Sequence, residues 1–255
     1  MFSLKKIALS ALLAVSAVAG AEAKDWSTIR IGVEAAYPPF NFIDSAQQIQ
    51  GFDVDIAKAV CEKLKANCTF VAQDWDGIIP ALQAGKFDAI FSSMTITDER
   101  KKVVDFSRAY YNTPSAFIAP KASALKDVSP EALKGKTLGA QSSTIQSSYL
   151  EANYPGFDMK LYPSQDEVNL DIVAGRIDAL FVDKVVGMDW LKTADGACCE
   201  VVGPDIPIGS GIGAAVRKED TDLRDAISTA INEIKADGTY DKINAKYFPF
   251  SIWMN

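Results

Sequence analysis

Polar side chains that could hold a small molecule stand directly after apolar segments typical of buried strands. They combine carboxylates, hydroxyls and an amide, and they are Glu34, Ser92, Ser93, Gln141 and Asp183. Such groups donate and accept the hydrogen bonds that charged and polar ligands need. The chain has no histidine, which excludes Ser-His-Asp and Cys-His catalysis and most zinc sites. We therefore expect a binding site without a metal ion or cofactor.

The elements that must position these side chains alternate between strand-like and helix-like segments. This alternation is typical of βαβ units and predicts an α/β fold with largely parallel sheets. Strands are predicted at 29–33, 68–71, 87–91, 137–140 and 177–182, and helices at 53–64 with Asp53 as the N-cap, 77–83, 143–152, 166–173 and 222–237.

Two parts of the chain repeat one another. Residues 82–93 match residues 172–183, each with a helix end, a glycine, a basic residue and a buried strand, and residues 30–34 match residues 137–141. Because both matches occur in the same order, we predict two similar lobes. Ligands of open parallel sheets bind at the carboxyl ends of the strands. The polar residues named above would therefore face a cleft between the lobes.

The first residues are typical of an export signal. Lys5 and Lys6 precede the apolar run 7–18, and residues 21–23 form an A-x-A cleavage site, so residues 1–23 are predicted to be removed. A retained membrane anchor is the alternative, although a spanning helix needs roughly 20 apolar residues. The net charge of −7 at pH 7 argues against binding to nucleic acid or to anionic lipid.

Export would place the four cysteines in an oxidising compartment. Cys61 and Cys68 stand near the end of a predicted helix and the start of a predicted strand. A turn between these elements can bring the two within bonding distance, so we predict a disulfide. Cys198 and Cys199 are neighbours, for which a bridge is geometrically awkward, and buried thiols are expected there. No cysteine has a metal-site spacing.

Six motifs along the chain resemble those of one protein family. They are IGVEAAYPPF (31–40), GFDVDIAKAVCEKL (51–64), DWDGIIPAL (74–82), FDAIFSSMTITDERKKVVDFS (87–107), AGRIDALFVD (174–183) and DGTYDKINAKYF (237–248). Together they are similar to bacterial extracellular solute-binding proteins of the polar amino-acid family. Within that family the resemblance is strongest to the lysine/arginine/ornithine-binding and histidine-binding periplasmic proteins.

This resemblance implies a two-lobed periplasmic-binding-protein fold, with a mostly parallel sheet in each lobe and a two-strand hinge. One lobe would comprise residues 24–112 and 215–255, and the other residues 116–207. The implied function is the periplasmic substrate-binding component of an ABC importer for amino acids, most of all arginine, ornithine, lysine or histidine. The protein would be a monomer without enzymatic activity, and its partners would be the ligand and a membrane permease.

The resemblance also assigns roles to residues that would hold the ligand's common amino-acid part. Arg100 would bind the α-carboxylate, which suits a planar guanidinium; without the motif it would be taken for a surface arginine. Ser93 and Thr95 would bind the α-ammonium and α-carboxylate, with Ser92 beside them, although hydroxyls there could equally cap a helix. Asp183 would pair with the α-ammonium.

Other matched positions would contact the ligand's side chain. Tyr37 and Trp75 would sandwich it between aromatic rings, and rings attract cations; core packing is the alternative for both. Glu34 would meet a distal positive charge, since a carboxylate buried on closure is costly unless it is paired. Otherwise Glu34 is an exposed glutamate at the end of a strand.

The second lobe would contribute Gln141, Gln146 and backbone N–H groups near Thr144 and Ile145. Here the sequence departs from the family pattern. Ser143 stands where glycine is common, and Ile145 where serine or threonine is usual. A backbone contact survives this change, whereas a hydroxyl contact at position 145 does not.

Two other functions remain open at this point. One is an opine-binding transport protein, because Trp75 and Glu34 could also hold a substituted arginine. The other is an enzyme on the same fold, such as a cyclohexadienyl-type dehydratase, with Glu34 as its acid. Fold alone does not decide between them, but Arg100 together with Asp183 suits an α-amino acid better than a ring substrate.

Overall fold

Short strands and helices alternate along the chain. The structure is a computed structural model that describes residues 24–254, so the predicted export signal at 1–23 lies outside the described residues. The strands are β1 (Thr28–Val33), β2 (Ala36–Tyr37), β3 (Asn41–Ile43), β4 (Ile49–Gln50), β5 (Asn67–Ala72), β6 (Ala89–Ile90), β7 (Asp105–Phe106), β8 (Ser115–Pro120), β9 (Thr137–Gln141), β10 (Asp158–Tyr162), β11 (Ala179–Asp183), β12 (Cys199–Ile206) and β13 (Ala215–Val216). The helices are α1 (Phe52–Leu64), α2 (Ile78–Gln83), α3 (Asp98–Lys101), α4 (Ile145–Asn153), α5 (Gln165–Val173), α6 (Lys184–Trp190), α7 (Thr221–Ala236) and α8 (Thr239–Tyr247).

The first lobe is built on a five-stranded sheet in the order β5-β1-β6-β13-β7. Its helices α1 and α7 pack together on the sheet, because each carries apolar residues at helical spacing. In α7 the buried positions Leu223, Ile227, Ile231 and Ile234 form one such face. The strands β2, β3 and β4 form a small separate sheet beside the cleft.

The second lobe has a sheet of the same size, in the order β10-β9-β11-β8-β12. The two-lobed α/β prediction is confirmed, but both sheets are mixed rather than mostly parallel. In each sheet two neighbouring pairs are parallel and two are antiparallel. Strands β8 and β13 enter their sheets from the opposite lobe instead of through a βαβ helix, so nothing requires them to run parallel to their neighbours.

Two segments, 107–114 and 207–214, connect the lobes, and they contact one another. Ile212 forms isolated bridges with both Tyr111 and Thr95, and its N–H donates to the Tyr111 carbonyl at 2.8 Å. The connection is therefore a pair of extended strands side by side. No helix among residues 24–254 is long and apolar enough to cross a membrane.

The first helix begins earlier than predicted, which changes the role of Asp53. Gly51 is the N-cap, with φ at +128°, and a side chain there would collide with the carbonyl of Phe40. Only glycine readily adopts this conformation. Asp53 lies inside the first turn of α1 with its side chain buried, so the prediction that it caps the helix is wrong.

All four cysteines are paired. The predicted disulfide between Cys61 and Cys68 is present, and it joins the end of α1 to β5 across a Cα–Cα distance of 6.2 Å. Cys198 and Cys199 are also bonded to one another, which contradicts the expectation of buried thiols. Cys198 ends a short helical turn on the surface and Cys199 opens β12 in the interior, and the two sulfur atoms meet at this junction.

Candidate functional site

A cavity lies between the lobes, the kind of position where small-molecule sites commonly form. Every residue predicted from the sequence to bind ligand lines this one cavity. These are Glu34, Tyr37, Trp75, Ser92, Ser93, Thr95 and Arg100 from the first lobe, and Gln141, Thr144, Ile145 and Asp183 from the second.

Arg100 lies in α3, whose N-cap Thr97 accepts a hydrogen bond from the Arg100 N–H at 3.1 Å. The guanidinium turns into the cleft and donates to the carbonyls of Thr95, at 2.9 Å, and Ser143, at 3.0 Å. Burial lowers the pKa of Arg100 to about 10, so the group stays charged at neutral pH. It forms no ion pair with any carboxylate of the described chain. Arg100 is therefore a free positive charge for an anionic group.

Asp183 provides negative charge from the opposite wall. It ends β11 and caps α6, because its Oδ1 accepts the N–H of Val185 at 2.9 Å. Its Oδ2 accepts the hydroxyl of Thr113. Burial raises the pKa of Asp183 to about 6, while these hydrogen bonds act in the opposite direction. The carboxylate is ionised at neutral pH and is fixed on both oxygens.

The two predicted aromatic residues form walls of the cavity. Trp75 is only 8% exposed, and its Nε1 donates to the Ser143 carbonyl of the other lobe at 3.2 Å. The Arg100 guanidinium lies 5.2 Å from the centre of the Trp75 ring, within cation–π range. Tyr37 is half-buried and packs against the core of the first lobe. Trp75 and Tyr37 therefore serve both as packing residues and as cavity lining.

Glu34 directly follows β1 and reaches the other lobe. The Nε2 atom of Gln141 donates to Glu34 Oε1 at 2.5 Å, and also to the Pro163 carbonyl at 3.2 Å. Burial raises the pKa of Glu34 to about 7, and the Gln141 hydrogen bond offsets part of this rise. Within the described chain, Glu34 has no lysine or arginine partner. The cavity thus contains a second acidic group that lacks a cation.

The serines that follow β6 are held by side chains behind them. Ser92 Oγ accepts the N–H of Glu34 at 2.8 Å and lies 3.3 Å from Asn41 Oδ1. The N–H of Ser93 donates to Asp53 at 2.7 Å. Asp53 and Asn41 are completely buried and support the site without lining the cavity.

The N-terminus of α4 forms the second lobe's wall. Thr144 caps the helix by accepting the N–H of Ser147 at 3.1 Å, and Ile145 follows as the first helical residue. Ser143 has φ at +58°, a conformation that favours glycine. The Ser143 carbonyl contacts both Trp75 and Arg100.

Several lining residues in the connecting segments were not predicted from the sequence. They are Asn112, Thr113, Ile208 and Ile212. The cavity also includes Gln146, which was predicted to complete the second lobe's part of the site. The connecting segments carry no helix or strand periodicity that would mark them. The contribution of Thr113 to the site can be recognised only in the structure, because its hydrogen-bond partner Asp183 is 70 residues away in the sequence.

The site contains a guanidinium on one lobe, a carboxylate on the other and a second carboxylate beside aromatic rings. This arrangement complements a small zwitterion held by both lobes. The two lobes and the polar cleft between them define a bilobal solute-binding protein.

The chain belongs to the bacterial extracellular solute-binding proteins, family 3, whose sequence profile matches residues 29–250. It is 43% identical to the L-arginine-binding protein of Pseudomonas aeruginosa PAO1, over 98% of this chain and 99% of that protein. It is 40% identical to "ABC transporter arginine-binding protein 1" of Escherichia coli K12, over 96% of this chain and all of that protein. Its structure is similar, with a TM-score of 0.82 and 40% identity, to an ancestral arginine-binding protein bound to glutamine, covering 88% of this chain and 99% of that chain.

Proposed function

We propose that this protein is the substrate-binding component of an amino-acid ABC importer and that its ligand is a basic amino acid. Arg100 binds the α-carboxylate and Asp183 the α-ammonium. Tyr37 and Trp75 flank the side chain, and Glu34 meets its distal charge. The names of the relatives above, which are binding proteins, support binding over catalysis, and the comparisons do not favour the dehydratase or opine alternatives.

The choice of a basic ligand rests on the environment of Glu34. Its carboxylate lies in the cavity with an amide as its polar partner and with no lysine or arginine of residues 24–254 beside it. A buried carboxylate is costly unless a cation compensates it. A ligand with an apolar stem and a cationic tip supplies that cation. Arginine fits this end of the site best, because a guanidinium can stack on a ring while its N–H groups meet a carboxylate.

Ligand capture would proceed by hinged closure of the lobes. We propose the lobe boundaries 24–112 with 215–255, and 116–207, with the residues between these boundaries, 113–115 and 208–214, as the hinge. The hydrogen bonds from Trp75 and Arg100 to Ser143 join the two lobes and would form on closure. The protein would act in the periplasm as a monomer that delivers its ligand to a membrane permease.

The test is a thermal-shift screen of the common amino acids on protein that has been unfolded, stripped of ligand and refolded. Arginine, ornithine or lysine should raise the Tm most, since a ligand that binds only the folded state stabilises it. Octopine and prephenate belong in the same screen, because they represent the two alternatives. Stabilisation by an acidic amino acid alone, or by prephenate, would contradict the proposal.

A further inference from the structure

Asp53 is a completely buried carboxylate behind the cleft. Its Oδ2 accepts hydrogen bonds from the Ser93 N–H at 2.7 Å, the Ser93 hydroxyl at 3.0 Å and Asn41 Nδ2 at 3.2 Å. Its Oδ1 accepts the Tyr110 hydroxyl at 2.7 Å. It forms no ion pair within residues 24–254. Burial of a carboxylate without a cation is costly. Three of the four hydrogen bonds that Asp53 accepts come from Ser93 and Asn41, and Ser93 lines the cavity.

The directions of these hydrogen bonds are fixed. Asn41 Oδ1 accepts the backbone N–H of Ala35 at 2.9 Å, so the Asn41 amide must point its Nδ2 at Asp53. The Ser93 N–H can only donate. Two groups that can only donate, the Ser93 N–H and Asn41 Nδ2, therefore contact Asp53 Oδ2. This oxygen is thus a hydrogen-bond acceptor. The hydroxyl proton of Ser93 consequently points towards Asp53 and away from the cavity.

Ser93 Oγ is left with one lone pair that has no hydrogen-bond partner in the described chain. The Tyr111 hydroxyl donates to it at 2.8 Å, which occupies one of its two lone pairs. The remaining lone pair can only accept a hydrogen bond. Ser93 lines the cavity, and its backbone has φ at +49°, an uncommon conformation for a residue with a side chain. The bond from its N–H to Asp53 helps to hold the backbone there. An acceptor that is fixed in this way suits an ammonium group and not a carboxylate.

We propose that Asp53 is a positioning residue that makes Ser93 Oγ an acceptor for the ligand's α-ammonium. Asp53 does not touch the ligand; it acts by holding the Ser93 proton and backbone. The inference rests on the proposed function, since it requires a ligand with an α-ammonium group.

A double-mutant cycle tests this role, with L-arginine as the probe and isothermal titration of refolded, ligand-stripped protein as the measurement. Asp53→Ala removes the group that accepts the Ser93 proton, and Ser93→Ala removes the acceptor that faces the ligand. Each should weaken binding by about 10-fold or more, the scale of one hydrogen bond to a charged group. If Asp53 acts through Ser93, the double variant should bind within about twofold of Ser93→Ala, because contacting residues are not additive.

Tyr110→Phe is the matched control. It removes the hydrogen bond on the Oδ1 side of Asp53, away from Ser93, so it should lower the Tm while the dissociation constant stays within about threefold of wild type. A structural role would give additive losses in the cycle, or an Asp53→Ala variant with normal affinity, and either overturns the inference. Should Asp53→Ala not fold, Ser93→Ala still decides, since wild-type affinity in that variant also overturns it. A wild-type protein that binds no amino acid would instead refute the proposed function.

Discussion

Lowering the pH is expected to weaken the binding of arginine, because a proton competes with the ligand for Glu34. Burial is the largest cause of the raised pKa of this group, about 7, and the carboxylates of Asp166, Asp74 and Asp76 add to it. The hydrogen bond from the Gln141 amide favours the ionised form of Glu34, but it does not cancel the rise in pKa caused by burial. A cationic side chain needs the ionised form, so its binding must displace the proton.

The magnitude follows from the pKa. If the free protein keeps Glu34 in the buried environment described here and only the ionised form accepts the cation, the dissociation constant rises about tenfold for each pH unit below about 7, or about 30-fold between pH 8 and pH 5.5. Asp183, with a pKa of about 6, contributes a further loss of about fourfold over the same range. That second loss applies to every α-amino acid, because Asp183 would pair with the common α-ammonium. A neutral ligand such as glutamine therefore isolates the contribution of Glu34.

The assay is isothermal titration at several pH values, in two buffers that differ in ionisation enthalpy. In that buried environment Glu34 holds about half a proton near pH 7, so arginine binding should release about half a proton. Glutamine should release much less. Glu34→Gln is the control variant: it should lose the release and most of the pH dependence for arginine, and retain the weaker dependence due to Asp183.

The same shift has an opposite effect on the stability of the protein without ligand. The pKa of Glu34 is raised from 4.5, so between about pH 4.5 and 7 the folded protein binds more protons than the unfolded chain. Stability from this group is therefore present at low pH and is lost as the pH rises through about 7. An arginine dissociation constant that is the same at pH 8 and pH 5.5, or a Glu34→Gln variant with the wild-type profile, would refute the reasoning.

Further predictions concern the disulfide and the rest of the cleft. Replacing Cys61 and Cys68 by alanine should lower the free energy of unfolding by about 2–3 kcal/mol, as measured by urea denaturation; alkylation of both thiols in non-reduced protein would contradict the bond. Arg100→Ala and Asp183→Ala should each weaken all α-amino acids together by about 2–5 kcal/mol, and a loss confined to one ligand in a titration series would show that these residues recognise side chains instead. Arginine should change the intrinsic fluorescence through Trp75, and Trp75→Phe should remove most of that signal; an undiminished signal in the variant would assign it to another tryptophan.

The sequence predicts the elements that follow local periodicity. The strand at 28–33 and the helix at 221–236 were found within a residue or two, because their apolar residues repeat at strand or helix spacing. Strands β8, β12 and β13 were missed, since their pairing depends on the chain crossing between lobes, which no local pattern records. The prediction that Asp53 caps α1 was wrong for a related reason. An aspartate at the start of a helix is typical of an N-cap, and only its distant partners Ser93 and Tyr110 reveal its actual role.

The site was predictable in part. The polar residues after strands could be found from the sequence because the carboxyl ends of strands collect ligand groups. The direction of the Arg100 side chain could not, because a run of charged neighbours looks like a solvated surface. The structure shows that Thr95 and Ser143 carbonyls hold the guanidinium in the cleft. Neither contact follows from the spacing of residue types alone.

The position of β13 sets the order in which the protein can fold during synthesis. This strand lies between β6 and β7 in the first sheet, yet it comes more than one hundred residues after them. The second lobe's sheet uses only strands from 115 to 206, so all of it has left the ribosome before the first lobe can close. A fragment that ends near residue 210 and has been released from the ribosome should therefore resist protease in its second lobe while its first lobe is digested.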